Sequence, residues 1–354
     1  MRRKRLLFFA KCPMNYVLFA PVHERLRRDP AIEITFTGKL RGERDPRLVY
    51  EPFDLGDARF SRNSRARFVP WDLYVSPDFR MAGKRAKVKT HLFHGFSIRN
   101  FAIHPRALEF DRLHLLGPYM KRRFVETFGL DEDDPRLEEV GMPKLDALIA
   151  RRHDRAAVLE ELGLDPARKT VLFAPTWIEG GCLDTQGEEI VRALGRLPVN
   201  TIVKLHDNSF DLRKQRTDWG AVLPRILSPS QVLARGFDSN PYLAAADLLI
   251  SDASSVANEF LVLDRPLVFF RLSELEASWP STDRETWGTR TGTVIDRAAE
   301  LEAAVLGSLD DPGRRSEVRQ AAAADFFYAP GTATERAERS LRTSLGLGAG
   351  AAAG

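Results

Sequence analysis

Several short segments of this chain carry residues that could bind or transfer a charged group, and each follows an apolar run. They contain two histidines, a lysine and a serine pair: His94, Lys204, His206, Ser254 and Ser255. An imidazole titrates near neutrality and suits general-base catalysis. Ammonium and hydroxyl groups donate hydrogen bonds to phosphate oxygens. These residue types therefore predict chemistry on a phosphorylated substrate.

The most informative segment is DLLISDASSVANEFLVLDRPLVFF, residues 247–270. Its pattern predicts strand, polar turn, helix and strand, with Asp252 or Ser254 as the helix N-cap. The backbone N–H groups and the dipole of a helix N-terminus favour an anion. Glu259 lies one turn beyond Ser255 and could accept hydrogen bonds from a ribose. Helix capping alone would also explain these polar residues.

His94 directly follows an apolar run and precedes Gly95, which would let a ligand approach the backbone closely. We predict His94, ahead of His91, as a catalytic base. The alternative is a histidine that only completes the strand end.

The remaining two segments also follow strand-like runs. Thr176 and Trp177 come after the run that ends at Ala174, and packing alone could account for them. Lys204 and His206 are two residues apart, so on an extended chain their side chains share one face. Both can donate to a phosphate, and the alternative is a charged strand terminus in water.

The elements that must position these residues alternate between strand and helix. Predicted strands are 6–10, 31–37, 73–75, 87–93, 170–174, 201–205, 247–251 and 266–270. Predicted helices are 15–28, 145–163, 188–196, 240–246, 298–309, 315–327 and 334–345. Such alternation indicates βαβ units and parallel sheets. The pattern restarts near 155–170, so we predict two similar α/β halves with the site between them, at the carboxyl ends of strands.

Composition limits the class of protein. The formal net charge of +4 is unevenly distributed. Residues 1–153 hold 31 basic and 20 acidic residues, a net of +11, whereas residues 154–354 hold 22 and 29, a net of −7. The basic half suggests an anionic partner, such as a membrane surface or a phosphate polymer. The basic residues are scattered and no nucleic-acid module is recognisable, so we predict no nucleic-acid partner. Only Cys12 and Cys182 are present, which fits a reducing cytoplasm.

Several common sites are not supported by motifs. The chain has no GxxxxGK[ST], no clear GxGxxG, no GxSxG and no His/Cys cluster with zinc spacing. We therefore predict neither a metal site nor a cofactor. Asp131-Glu132-Asp133-Asp134 is interpreted as an acidic surface turn.

Five segments, in order, resemble the CDP-glycerol glycerophosphotransferase family, which makes wall teichoic acid and related polymers. They are Phe93-His94-Gly95, Gly141-Met142-Pro143-Lys144-Leu145-Asp146, Ala174-Pro175-Thr176-Trp177, Lys204-Leu205-His206 and Asp252-Ala253-Ser254-Ser255. The resemblance covers about residues 90 to 270. The chain departs from the family pattern at Phe96-Ser97, Ile178, Asp207 and Ala253, where the family usually has Thr-Pro, arginine, proline and an aromatic residue.

The resemblance implies an α/β, GT-B-like fold with two Rossmann-like parallel-sheet domains facing across a cleft. We expect an acceptor domain over 1–153, a nucleotide-donor domain over 154–314, a C-terminal helix (315–345) packing back on the first domain and a disordered tail over 346–354.

The resemblance also implies transfer of glycerol phosphate, or a similar polyol phosphate, from CDP-glycerol to an anionic polymer or lipid-linked acceptor. The catalytic residues would be His94 and His206, and Gly95 and Arg99 would lie on the acceptor side. The donor would be bound by Lys204, Asp252, Ser254, Ser255, Glu259 and Thr176. The enzyme would be cytoplasmic, with peripheral association at an anionic membrane surface. A GT-B glycosyltransferase, a sugar–nucleotide epimerase and a non-catalytic nucleotide-binding protein stay open as alternatives.

Overall fold

The computed structural model describes residues 2–40, 42–95, 102–272 and 288–348. Contacts divide the described chain into two compact units. Unit 1 runs to residue 147 and resumes at 324, whereas unit 2 runs from 148 to 323. The predicted division at 153/154 lies six residues further along the chain.

Unit 1 is built on a parallel sheet of seven strands within the described residues. The strands are β1 (Lys4–Ala10), β2 (Ile32–Gly38), β3 (Arg59–Phe60), β4 (Trp71–Ser76), β5 (Ala86–Leu92), β6 (Arg112–Leu115) and β7 (Leu137–Glu139). Their order in the sheet is β3-β2-β1-β4-β5-β6-β7. Leu6 to Ala10 are all buried, because a parallel sheet with helices on both faces needs apolar residues on both.

The helices of unit 1 begin with α1 (Pro13–Leu26), whose proline stands at the first helical position. The rest are α2 (Arg47–Tyr50), α3 (Asn63–Ala66), α4 (Pro118–Phe128), the start of α5 (Pro143–Ile149), the last residues of α12 (Ser316–Phe326) and α13 (Ala333–Ser344). One core cluster joins β1, α1 and α13 through Phe8, Phe19, Phe36 and Leu341. The final helix is therefore part of the core of unit 1.

Unit 2 repeats the arrangement with six parallel strands among its described residues. They are β8 (Thr170–Phe173), β9 (Asn200–Val203), β10 (Gln231–Leu233), β11 (Leu248–Ser251), β12 (Leu267–Phe270) and β13 (Thr293–Ile295). Their order is β10-β9-β8-β11-β12-β13. Counted within each unit, both sheets follow the order 3-2-1-4-5-6 of Rossmann folds. The predicted α/β class with two Rossmann-like parallel sheets is confirmed.

The longer helices of unit 2 cover a core that contains Phe173, Ile190, Leu223 and Phe270. They are α6 (Arg155–Glu161), α7 (Cys182–Leu194), α8 (Trp219–Ile226), α9 (Asn240–Ala245), α10 (Ser255–Phe260), α11 (Leu301–Asp310) and the main part of α12. Short 3-10 segments comprise Asp207–Phe210, Leu261–Leu263, Gly288–Thr291 and Ala298–Glu300.

Two helix predictions were wrong in their bounds. The predicted helix 145–163 is two helices, α5 and α6, because Arg151 adopts a left-handed φ of 52° and Asp154 caps a new helix. Helix α7 begins at Cys182, six residues before the predicted start. The strands β3, β6, β7, β10 and β13 were not predicted, and four of these five have only two or three residues.

The family-like stretch Gly141–Asp146 has a structural explanation. Asp146 accepts hydrogen bonds from the backbone N–H groups of Gly331, Ala333 and Thr334 at the start of α13. Gly141 has a φ of 92°, and a Cβ there would lie 2.6 Å from the Tyr328 carbonyl oxygen. These residues attach the last helix to unit 1.

Among the described residues, no helix combines the length and apolar character that a membrane span requires.

Candidate active site

The residues predicted to bind the nucleotide donor lie at one edge of the sheet of unit 2. Strands β9, β8 and β11 are neighbours, and the sheet order reverses between β8 and β11. Ligands of doubly wound sheets bind outside the carboxyl ends of strands at this switch point. Thr176 follows β8, Lys204 and His206 follow β9, and Asp252 and Ser254 follow β11. The topology thus brings together residues that are far apart in the sequence.

Asp252 holds the two loops at this switch point together. Its Oδ1 accepts from the N–H groups of Thr176 (2.8 Å) and Ala253 (2.7 Å), and its Oδ2 accepts from Cys182 N–H at 3.1 Å. The side chain is buried. Burial raises the pKa of Asp252, while these N–H bonds and the Cys182 thiol act in the opposite direction. The carboxylate therefore positions the loop after β8 and caps the start of α7.

Ser254 is the N-cap of α10, in agreement with one of the two predicted caps. Its Oγ accepts from Val256 N–H at 3.5 Å, a long and weak bond. Ser254 and Ser255 are both half-buried. Hydroxyl and backbone donors therefore meet at the start of α10, next to the switch point.

Glu259 lies further along α10 and is only 4% exposed. The Ser239 hydroxyl donates to its Oε2 at 3.4 Å. This contact ties α10 to the residue that precedes α9.

Lys204 and His206 lie beyond β9, which ends at Val203. The predicted alternation nevertheless continues, because Leu205 is buried while Lys204 is half-buried and His206 is exposed. The Lys204 ammonium donates to the Leu205 carbonyl at 3.0 Å. His206 Nδ1 accepts from Asn208 N–H at 3.0 Å, so a neutral ring carries its proton on Nε2.

The Trp177 ring packs beside His206 and Lys214. Its ring centroid is 5.9 Å from that of His206, and the Lys214 ammonium lies 5.4 Å from the indole centroid. The Gln215 amide donates to the Trp177 carbonyl oxygen at 2.7 Å. The loop after β9 is thereby held against the loop after β8.

Two departures from the family pattern pack against each other. Ile178 and Ala253 form a small buried cluster with Leu272, and Trp177 packs against it. The residues usually found at these positions, an arginine and an aromatic side chain, are both replaced by smaller apolar ones. The change therefore affects a single patch at the switch point.

Gly180 and Gly181 are site residues that sequence reasoning missed. Gly180 has a φ of 73°, and a Cβ on Gly181 would lie 3.0 Å from the Ile178 carbonyl oxygen and 3.2 Å from Asp252 Oδ2. They make the tight turn from β8 into α7. A Gly-Gly pair between a strand and a helix was the available signal.

In unit 1, His94 follows β5 and is exposed. Its Nδ1 lies 3.0 Å from the Pro77 carbonyl oxygen, which can only accept. Nδ1 therefore carries the proton, and in the neutral ring the lone pair is on Nε2, the form a general base needs. Gly95 follows with a φ of 133°. Arg99, predicted on the acceptor side, lies outside the described residues.

His91 is a core residue. It is 1% exposed and stacks on Phe79 with a centroid distance of 4.8 Å. Burial lowers the pKa of His91 well below its ordinary value, and His94 and His114 lower it further. Its place in the core agrees with the preference for His94 as the catalytic base.

The chain is similar in sequence to proteins of known family. Residues 108–306 match the family described as CDP-Glycerol:Poly(glycerophosphate) glycerophosphotransferase. The teichoic acid glycerol-phosphate primase of Bacillus subtilis is 29% identical over 168 residues, 46% of this chain and 39% of the primase. The teichoic acid poly(glycerol phosphate) polymerase of Staphylococcus epidermidis is 28% identical over 175 residues, 44% of this chain and 22% of the polymerase. The chain thus matches less than half the length of either relative.

Among solved structures, the wall teichoic acid polymerase TagF, in a crystal soaked with CDPG, is similar with a TM-score of 0.72 at 17% identity. The match covers 97% of this chain and 89% of that chain. At this identity the likeness concerns the fold, and it confirms the predicted GT-B-like class. The family match spans more than half of the chain and includes the edge of unit 2 described above. The chain therefore belongs to the CDP-glycerol:poly(glycerophosphate) glycerophosphotransferase family.

Proposed function

We propose that this chain transfers glycerol phosphate from CDP-glycerol to an acceptor hydroxyl in the synthesis of a teichoic-acid-like or capsular polymer. One observation carries the proposal. The residues shared with the family follow three neighbouring strands, β9, β8 and β11, at one edge of unit 2. Membership of the family and the CDPG soak of TagF support the choice of donor.

Two helix starts at this edge could receive the donor pyrophosphate, those of α7 and α10. At α7 the N–H of Cys182 is already bound by the Asp252 carboxylate, a negative group. A second anion there would be repelled. We therefore assign the pyrophosphate to the start of α10, with Ser254 and Ser255 as hydrogen-bond donors.

The remaining donor contacts follow from this assignment. Lys204 and His206 balance charge on the transferred phosphoryl group, with the Nε2–H of His206 as donor. Glu259 accepts from the ribose hydroxyls, and Thr176 lines the turn after β8. Asp252 acts as a positioning residue, because its oxygens already bind backbone N–H groups.

His94 is proposed as the general base in unit 1. The acceptor oxygen attacks the phosphorus that carries glycerol, a new P–O bond forms, and the bond to the CMP oxygen breaks. The acceptor proton passes to His94 Nε2, and CMP leaves with the bonding electrons. Charge stabilisation and positioning provide most of the rate enhancement, as in phosphoryl transfer generally. Gly95 and Arg99 are assigned to the acceptor side.

The acceptor is proposed to be an anionic polymer or a lipid-linked primer. The enzyme would act in the cytoplasm, with peripheral attachment to the inner face of the cell membrane. The surplus of basic residues in 1–153 supports an anionic partner.

The decisive experiment incubates the purified chain with CDP-glycerol and a glycerol-phosphate-primed acceptor, and measures CMP release and acceptor extension. We expect both, in equal amounts. CDP-ribitol and UDP-N-acetylglucosamine are tested as alternative donors under the same conditions. Extension only with the UDP-sugar would instead identify a glycosyltransferase.

The same incubation without acceptor distinguishes an epimerase from a binding protein. Conversion of UDP-N-acetylglucosamine without acceptor would identify an epimerase. Donor-induced thermal stabilisation without any product would identify a non-catalytic binding protein.

A further inference from the structure

The amino-end edge of the sheet in unit 1 carries an exposed aromatic residue among arginines and lysines. Phe68 is 69% exposed, the most exposed of the large hydrophobic side chains in the described residues. It lies between α3 and β4, at the edge where β4 begins. A phenylalanine in water on a charged surface costs free energy that a binding partner would recover.

Cations surround this aromatic residue. The Arg67 guanidinium lies 5.9 Å from the Phe68 ring centroid, and Arg85 Nη1 donates to the Phe68 carbonyl at 3.1 Å. Arg67, Lys84 and Arg85 are all exposed. We call Arg67, Phe68, Lys84 and Arg85 the Phe68 patch.

Arginines also lie at the same edge of the sheet, at the amino ends of β1, β2 and β3. A cavity of about 440 Å³ is lined there by Arg3, Arg27, Arg28 and Arg59. Glu33 pairs with Arg59 and Glu24 pairs with Arg27, both at 2.8 Å, and Asp57 also lines the cavity, so the four arginines exceed these carboxylates by one. The recess is suited to phosphate oxygens.

This edge lies opposite the one that carries His94. Strand β5 runs from Ala86, beside the Phe68 patch, to Leu92, just before His94. Six residue steps at about 3.3 Å separate the two ends by about 20 Å. The Phe68 patch is therefore too far from His94 to bind the reacting hydroxyl.

We propose that the Phe68 patch and the arginine-lined cavity bind the surface of an anionic lipid bilayer, with Phe68 inserted among the headgroups. A soluble polyanion would need the cations but not the exposed phenylalanine, whereas a bilayer uses both. The attachment would hold the edge that carries His94 about 20 Å from the lipid phosphates. The inference names a surface for the peripheral attachment proposed above, and vesicle binding tests it independently of the transfer reaction.

The test measures cosedimentation of the full chain with phosphatidylglycerol–phosphatidylcholine vesicles, without donor or acceptor. We expect binding that weakens with salt and is lost with phosphatidylcholine alone. The double variant Arg67→Glu/Arg85→Glu should bind at least about 25-fold more weakly, because each basic residue near an anionic surface contributes roughly a factor of five. The matched control is Arg192→Glu/Arg196→Glu on and beside α7, with equal charge change at exposed positions of unit 2, and it should bind as the wild type does.

Phe68→Ala separates the bilayer from a soluble polyanion. It should weaken vesicle binding several-fold while leaving retention on soluble polyglycerol phosphate unchanged, and Leu212→Ala, at a residue 61% exposed in unit 2, should change neither. Equal vesicle binding by the wild type and the charge-reversed double variant would overturn the proposal. Loss of polyglycerol phosphate retention in the double variant, with vesicle binding intact, would assign the surface to the polymer. Transfer to a soluble acceptor should persist in these variants, so its loss would bear on the proposed function alone.

Discussion

Units 1 and 2 share one strand order but use the same point of the fold differently. In unit 1, β4 ends at Ser76 and is followed by Pro77, and in unit 2 the equivalent strand β11 ends at Ser251 and is followed by Asp252. The Pro77 carbonyl accepts from the exposed imidazole of His94, whereas the Asp252 carboxylate binds three backbone N–H groups. The residue after the strand therefore has a different structural role in each unit: the Pro77 carbonyl orients an exposed imidazole, and the Asp252 carboxylate holds loops together.

The two units also differ in the burial of their histidines. His23, His91 and His114 are buried in unit 1, and burial lowers the pKa of each. His206 of unit 2 is exposed. Buried neutral imidazoles make unit 1 sensitive to acid, while the exposed histidines of both units are the ones available for chemistry.

The largest expected effect concerns the base assigned to unit 1. His94→Ala should lower turnover about 10²- to 10⁴-fold, because no base then removes the proton from the acceptor hydroxyl. The affinity for CDP-glycerol should stay near that of the wild type. CMP release measures turnover, and titration calorimetry with CDP-glycerol measures donor affinity. His104→Asn, at an exposed histidine of the same unit, is the matched control. Wild-type turnover in His94→Ala would contradict the division of roles between the units.

A smaller effect is expected at the start of α10 in unit 2. Ser254→Asp keeps an N-cap but places a carboxylate against the pyrophosphate, so donor affinity should fall about 10- to 100-fold. Ser254→Thr keeps both the cap and the hydroxyl and should bind nearly as wild type. Calorimetric titration with CDP-glycerol measures both variants. Unchanged affinity in Ser254→Asp would place the pyrophosphate elsewhere.

Asp252→Asn tests the carboxylate that unit 1 lacks at the equivalent point. An amide offers one oxygen, so a buried backbone N–H loses its acceptor and the free energy of unfolding of unit 2 should fall by about 2–3 kcal/mol. Urea unfolding measures the change. In unit 1, Ser76→Ala removes a hydroxyl that bonds to the backbone of Asp78 within its own turn, and should cost about 1 kcal/mol. Equal losses at the two positions would remove the contrast.

Acid should destabilise unit 1. Burial, and to a smaller extent Arg27, lower the pKa of His23 from 6.5 to about 4. Above pH 6.5 the ring is neutral in folded and unfolded chains. Between 6.5 and about 4 the unfolded chain binds the proton first, so stability falls as pH falls.

For His23 alone this amounts to about 2 kcal/mol at about pH 5 relative to pH 7. His23→Gln, which cannot titrate, should show a correspondingly smaller loss. Urea unfolding at the two pH values, followed by hydrogen exchange of peptides from β1 and β8, assigns the change to a unit. A pH dependence in His23→Gln identical to that of the wild type would contradict the assignment.

The sequence by itself determined much of the fold and indicated the candidate site residues. Long apolar runs such as Leu6–Ala10 and Leu248–Ile250 predict buried strands, because both faces of a parallel sheet are covered. The hydroxyls and cations after those runs, with the ordered motifs, indicated the family. Ser254 was one of two predicted N-caps, with Asp252, and the structure shows that Ser254 is the cap.

Only the tertiary structure decided which of these residues bind backbone groups. Asp252 looked like a donor-binding residue, yet its partners Thr176 and Cys182 lie more than 60 residues away in the sequence. Strands as short as β7 and β13 carry too little periodicity to be read locally, and neighbouring strands define them. The Phe68 patch likewise depends on where β4 and β5 begin in the sheet, because long-range pairing, which no local pattern encodes, brings its charges together.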